Sequence, residues 1–538
     1  MKSIICSCFL ILIQFKTYAQ LFKSNQDSLR GTITSERIWW DVKKYELEIE
    51  PTISKQKIIG KNIITFFTLS HGKSMQIDLQ EPMEIDSINF SEEKTELTRN
   101  GNLYYVSFEN ELIADKIYSI TIYFSGKPRK AVNAPWDGGW IWTKDSKGNP
   151  WVTVACQGLG ASSWYPCKDH QSDEPDQGAT IAVKVPNNLV AVSNGRFIGK
   201  KENSKNKTTF YWEVKNPINS YNIVPYIGKY VHWSDLYYGE KGTLSLDYWV
   251  LEKNLDKSKN QFLQVKSMLA CFENWFGAYP FYEDGYKLVE SPHLGMEHQS
   301  AIAYGNKFKN GYEGNDISRT GNGDKWDFII VHESGHEWFG NSITSYDIAD
   351  MWIHEAFTSY SEVLYTEYLF GKEAGDKYVQ GIRARINNDI PIIGKYGLNK
   401  EGSGDMYFKG SNLIHMIRQL INNDEKFKSL LLSINKKYFH KTLTSQQLEK
   451  YIIDLTGLPL QKVFDQYLRT TQIPILEYKK VNNEIEYRWV NCVDGFELKF
   501  KLQNGKWFEC STDWKKTDAL FSDFIIDSNF YVRINKVE

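Results

Sequence analysis

The residues best suited to chemistry fall in one short segment, Val331-His332-Glu333-Ser334-Gly335-His336-Glu337. His332 and His336 are four apart, so on a helix they project from one face, one turn apart. Two imidazoles placed that way can share a Zn2+ ion at about 2.0–2.1 Å each. Glu333 stands beside that face, within reach of a water next to the ion without being a ligand itself. Residues 337–354 then separate His336 from Glu355, in Trp352-Ile353-His354-Glu355-Ala356-Phe357. A second helix bringing Glu355 to the same metal completes two His and one Glu with an open fourth position. That is the stoichiometry of a hydrolytic zinc site and not of a closed structural one. Glu362 lies two helical turns beyond Glu355 on the same face. It either orients a ligating histidine from behind or is a solvated helix glutamate.

This stretch resembles the gluzincin aminopeptidases, the zinc metallopeptidase family of aminopeptidase N and leukotriene hydrolase, whose pattern is HExxH followed eighteen residues later by Glu. Trp338-Phe339-Gly340-Asn341 and Trp352-Ile353-His354-Glu355 are similar to that family's flanking motifs, with His354 where Asn is usual and Ala356 where Gly is usual. Leu294-Gly295-Met296-Glu297-His298-Gln299 resembles the family's Gly-Ala-Met-Glu-Asn motif, with Leu294 in place of Gly and His298 in place of Asn. The resemblance implies that Glu297 binds a free α-ammonium, while the backbone at Gly295 and Met296 pairs with the peptide as an added strand. It also implies that Gln157, upstream of Trp164-Tyr165-Pro166-Cys167-Lys168-Asp169, helps clamp the amino terminus. There Asp169-His170-Gln171 departs from the usual Asp-Glu-Pro continuation, although Asp173-Glu174-Pro175 follows. Asp405-Met406-Tyr407-Phe408-Lys409-Gly410 matches the family's Tyr-x-Lys-Gly, so Tyr407 is expected to aim its hydroxyl at the oxyanion formed during amide cleavage.

The function so implied is a zinc-dependent aminopeptidase acting on peptides with a free N-terminus. Its rivals are a thermolysin-like endopeptidase using the same metal site, an epoxide hydrolase as in one branch of the family, and a non-catalytic peptide-binding protein. Glu297 argues against the endopeptidase, because a buried acid there favours an ammonium over an internal amide.

These side chains need elements to hold them, and 538 residues are enough for two to four domains. From residue 37 to 251 short runs alternate polar and apolar side chains, as in Tyr45-Glu46-Leu47-Glu48-Ile49. That pattern predicts an N-terminal all-β domain, a sandwich or saddle. Helical spacing takes over in 257–275, 328–370, 411–439 and 444–469, predicting a thermolysin-like, mainly helical catalytic domain over 252–473. Alternation returns in 484–490 and 496–502, so a small β domain is expected over 474–538. The fold class is therefore multidomain α+β, with a cleft less enclosed than in four-domain relatives.

Composition narrows the class further. Hydrophobic residues make up 41% and charged residues 24%, the range of a soluble globular protein. A formal net charge of −2 argues against a dedicated nucleic-acid binder. No transmembrane helix is expected after the N-terminus. Lys2, the apolar residues 4–15 and Thr17-Tyr18-Ala19 resemble a signal peptide over 1–19, leaving 20–36 as an N-terminal segment. Export to the periplasm or outside the cell is the expectation, with a short membrane anchor or a buried helix as the other reading. Beyond that leader, Cys156 with Cys167 and Cys492 with Cys510 either pair or, with Cys271, serve as small buried hydrophobes.

Overall fold

The computed structural model describes residues 28–538 apart from 93, 204, 205, 483 and 520. The leader expected over 1–19, with Cys6 and Cys8, lies outside the described residues.

Period-2 alternation becomes strand structure where it was read. Tyr45, Leu47 and Ile49 are all buried on one face of the strand Trp40–Thr52. That strand runs parallel to Ala179–Pro186 and antiparallel to Lys57–Thr68 near the middle of a seven-stranded sheet. Ile120, Ile122 and Phe124 of the strand Ile117–Gly126 fill the same core. A three-stranded sheet, with Gly72–Asp78 on one edge, packs against it, and so does a four-stranded sheet. The four-stranded sheet contains Pro150–Ala155, and Gln157 leaves just beyond its end.

The next sheet is mixed and has five strands: Tyr230–Gly239, Gly242–Leu251, Tyr286–Glu290, Ile302–Tyr304 and, at the edge, Gly295–Met296. Its first two strands precede the composition change at residue 252. Leu244, Leu246, Tyr248 and Val250 bury into the core shared with the helices. Alternation marks a strand but not the sheet it joins, so the sheets change before the composition does.

The helical pattern over 328–370 is two helices, Phe328–Gly335 and Trp352–Phe370. Between them Gly340-Asn341-Ser342, poor helix formers, lead into the strand Ile343–Ser345, which pairs with Lys441–Leu443. The C-terminal strands Ile475–Val481 and Glu484–Val490 centre a four-stranded sheet. Trp489, Phe496 and Phe500 share one core with the helix Gln461–Arg469, and Tyr467 Oη donates to Tyr531 O at 2.6 Å. This β unit therefore leans on the helical part for its burial.

All five described cysteines are free, so neither expected pairing forms. Cys156, Cys167, Cys271 and Cys510 are buried and Cys492 is half-buried, the alternative read from the sequence. No helix among the described residues is long and apolar enough to cross a membrane.

Candidate active site

The helix Phe328–Gly335 begins at Asp327, whose carboxylate accepts the N–H groups of Ile329 and Ile330 at 3.1 and 3.3 Å. Tyr304 Oη, Gln261 Nε2 and Asn306 Nδ2 also donate to Asp327, so the cap is tied to the five-stranded sheet and to the end of the helix Leu255–Gln261. Near-continuous burial of the helix follows from its sequence, Phe-Ile-Ile-Val, before the first histidine. Gly335 comes close to Ser361 and Thr358 of the helix Trp352–Phe370, which carries Glu355.

This packing brings three ligand atoms together. His332, His336 and Glu355 each offer one atom within 4.8 Å of the others, and all three residues are buried. Glu355 Oε2 lies 3.6 Å from His332 Nε2 and 3.3 Å from His336 Nε2. It is a buried oxygen without a hydrogen bond among the described residues. An unsatisfied buried carboxylate oxygen costs stability unless something pairs with it. Two imidazole nitrogens and one carboxylate oxygen converging on one point fit a zinc ion.

Each ring is also held from behind. His332 donates from Nδ1 to Glu362 Oε1 at 2.7 Å, and Tyr378 Oη donates to Glu362 Oε2 at 2.7 Å. Glu362 is fully buried, so of its two readings the orienting one holds and the solvated one falls. His336 donates from Nδ1 to Phe339 O at 3.0 Å. Both Nδ1 atoms being engaged, both Nε2 lone pairs face the metal position. Burial disfavours charge on His336, yet Glu355 and Glu297 raise its pKa to about 9. Burial likewise opposes charge on Glu355, but His336 and His332 hold its carboxyl well below the ordinary range. Anionic character is thus concentrated where a cation would sit.

Glu333 belongs to a second cluster, with Glu297 and His336. Burial raises its pKa to about 7 against the pull of His332 and His336, with help from Glu297 and Glu355. Such a carboxylate takes and returns a proton near neutrality. The edge strand Gly295–Met296 runs beside it, and a Cβ added at Gly295 would fall 2.5 Å from Glu333 Oε1. No larger residue fits there without displacing the carboxylate.

Glu297, 2% exposed, follows that strand. Its Oε1 accepts from Gln157 Nε2 at 2.5 Å and from Tyr221 Oη at 2.9 Å. No side-chain partner engages Oε2 among the described residues, and Glu297 lines the cleft. His298, where the related motif has Asn, is buried with Nδ1 2.6 Å from Tyr226 Oη, and so holds the segment from beneath. Leu294 lines the cleft.

Tyr407 precedes the helix Phe408–Ile421 and stacks near His332, ring centroids 5.9 Å apart. Its placement depends on Gly410, since an added Cβ there would come 2.5 Å from Cβ of Ala356, next to Glu355. The pairing of Ala356 with Gly410 explains why a methyl is accommodated in the long helix. Burial, then Glu355 and neighbouring carboxylates, push the Tyr407 hydroxyl well above its usual pKa, so it remains a donor. His354, the other departure from the related pattern, is neutral: burial lowers it to about 3, and Nε2 accepts the Ser345 N–H at 2.8 Å.

One open cleft of about 370 Å³ is lined by His332, His336, Glu355, Glu333, Glu297, Gln157, Gly295, Met296 and Tyr407, all the site residues read from the sequence. It is also lined by Glu401 and Trp136, which the sequence reading did not single out. Tyr221 and Tyr378 were missed as well. Each contributes one hydroxyl from a distant part of the chain, with no spacing to betray it.

Residues 42–222 match the model of the Peptidase M1 N-terminal domain, and residues 261–467 match that of the Peptidase family M1 domain. Two independent matches in the family's order, over the sheet that carries Gln157 and the helices that carry the metal triad, settle the assignment: the chain belongs to peptidase family M1. It is 23% identical over 321 residues to leukotriene A-4 hydrolase of Xenopus laevis, an alignment covering 56% of this chain and 49% of that one. Human aminopeptidase B is 25% identical over 353 residues, covering 61% and 51%. The chain thus spans about half the length of these curated relatives. The M1 zinc metallopeptidase from Deinococcus radiodurans superimposes with a TM-score of 0.70 at 18% identity, covering 82% of this chain and 95% of that one. At that identity the likeness is one of fold. A mutant of the same bacterial protein, bound to a Tyr-Ser-Ala substrate, gives 0.69 with 82% and 96% covered.

Proposed function

We propose that the chain is a zinc-dependent aminopeptidase, which releases residues one at a time from the free N-termini of peptides. The observation that carries this reading is Glu297. It is a buried, cleft-lining carboxylate with one oxygen held by Gln157 and Tyr221 and the other left without a side-chain partner among the described residues, in a cluster with Glu333 and His336. A substrate ammonium ion meets the free oxygen, whereas an internal amide would leave it unpaired and desolvated.

His332, His336 and Glu355 would hold the zinc, which when bound supplies Lewis acidity to the attacking water and to the scissile carbonyl. The substrate backbone adds to the free edge at Gly295 and Met296, which sets the carbonyl beside Glu333. Glu333 accepts the proton of the attacking water on its carboxylate and then delivers it to the departing amine. Tyr407 donates its hydroxyl hydrogen to the developing oxyanion. Glu297 and Gln157 fix the ammonium, so cleavage falls after the first residue.

A cycle combining Glu297→Ala with N-acetylation of the substrate tests this. Either change alone should cost roughly 10²–10⁴-fold in kcat/KM, from about 3–5 kcal/mol for one lost partner of a buried pair. Both together should cost little more than one, since each deletes the same contact. Additive losses would detach Glu297 from the ammonium.

A further inference from the structure

Besides the metal ligand Glu355 and Glu362, which orients His332, the cleft lining among the described residues includes three carboxylates: Glu333, Glu297 and Glu401. The first two have their work in the reaction just described, and Glu401 has none. Its carboxylate makes no hydrogen bond or ion pair among the described residues. Two features show that it is placed and not merely present. The loop that carries it is pinned on both sides, by Asn399 Nδ2 donating to Gly158 O at 2.9 Å and by Ser403 N–H donating to Pro391 O at 2.9 Å. Its Oε1 also stands against the turn after Gln157, 3.0 Å from where a Cβ on Gly158 would be. Glu297 and Glu401 therefore flank the same Gln157-Gly158 turn, one reached by Gln157 Nε2 and the other abutting Gly158.

Glu401 belongs to neither of the tight clusters, His332–His336–Glu355 and Glu297–Glu333–His336. Standing outside both clusters and beside Gly158, it is left to meet a part of the substrate other than the scissile amide and the α-ammonium. Trp136, 65% exposed, together with Pro135, Tyr312 and Phe328, gives the cleft apolar walls that can cover an alkyl stem. We propose that Glu401 is a specificity-determining residue that selects peptides beginning with arginine or lysine, the α-ammonium going to Glu297 and the side-chain cation to Glu401. This rests on the aminopeptidase reading. Burial, with Glu355 and Glu297 nearby, raises Glu401 to about 7. A second cation in the cleft relieves that like-charge crowding, while an acidic first residue adds to it.

The test compares arylamides of arginine and of citrulline, its neutral near-isostere, with leucine-arylamide as reference. Wild-type enzyme should prefer arginine over citrulline by about 10–50-fold in kcat/KM, as expected for one partly desolvated charge pair. Glu401→Gln, which keeps the side chain's shape, should bring that ratio near unity and leave leucine-arylamide within about twofold of wild type. A wild-type ratio near unity, which needs no variant, overturns the proposal. So does a Glu401→Gln enzyme that keeps its preference, or one that loses all three substrates equally, which would mark a structural residue or a second ammonium anchor. N-acetyl-arginine-arylamide separates the two levels: its cleavage at the free-amine rate would sink the aminopeptidase reading itself.

Discussion

Tyr407 reaches the cleft with its hydroxyl unengaged among the described residues, its ring held beside His332. Tyr407→Phe removes the donor and leaves that packing. It should therefore lower kcat by about 10²–10³-fold with KM nearly unchanged, in steady-state kinetics on a free-amine substrate. A raised KM with intact kcat would make Tyr407 a binding residue. Glu362 acts one step further back, through His332. Glu362→Gln can still accept from Nδ1 but without charge, so zinc affinity measured by chelator competition should fall about 10–100-fold. Unchanged affinity would show that packing alone orients the ring. At this scale the sequence was informative wherever chemistry imposes a spacing: His332, Glu333 and His336 follow from one helical turn, and Glu297 and Tyr407 from motifs. It was silent on Tyr221, Tyr378 and Glu401, each of which adds a single polar group through tertiary packing.

The elements position these groups through close backbone approaches and one cap. The helix Phe328–Gly335 has its start fixed by Asp327, which also satisfies Tyr304, Gln261 and Asn306. Asp327→Ala removes the cap and orphans buried donors, and should cost about 2–4 kcal/mol in denaturant unfolding. Asp327→Asn, which can still cap, should recover part of that. A loss below about 0.5 kcal/mol would contradict the cap's role. Helices and strands were legible from their periods, because burial on one face leaves a mark every 3.6 or 2 residues. The break between the two site helices was not, since residues 336–351 are buried almost throughout and carry no one-sided pattern. Sheet membership was equally hidden. The strands Tyr230–Gly239 and Gly242–Leu251 alternate as the earlier ones do, and only pairing with Tyr286–Glu290 assigns them to the catalytic sheet.

In the whole molecule the N-terminal β part supplies Gln157 and Tyr221, the five-stranded sheet supplies the edge at Gly295–Met296, and the helices supply the metal triad and Tyr407. The C-terminal strands close the core behind the helices and, among the described residues, add nothing to the cleft lining. This division explains why a fold likeness of 0.70 in TM-score persists at 18% identity: each part needs only a few fixed residues at its inner face. On the proposed reading, a hydrolytic metal site is made specific for free N-termini by the Glu297 carboxylate in the cleft. Mass spectrometry of a timed digest tests this directly, using one peptide of about ten residues and its N-acetylated twin. The free peptide should yield a ladder shortening by single residues from the N-terminus, with the acetylated twin cleaved at least about 100-fold more slowly. Internal cleavage of both peptides at comparable rates would contradict the account.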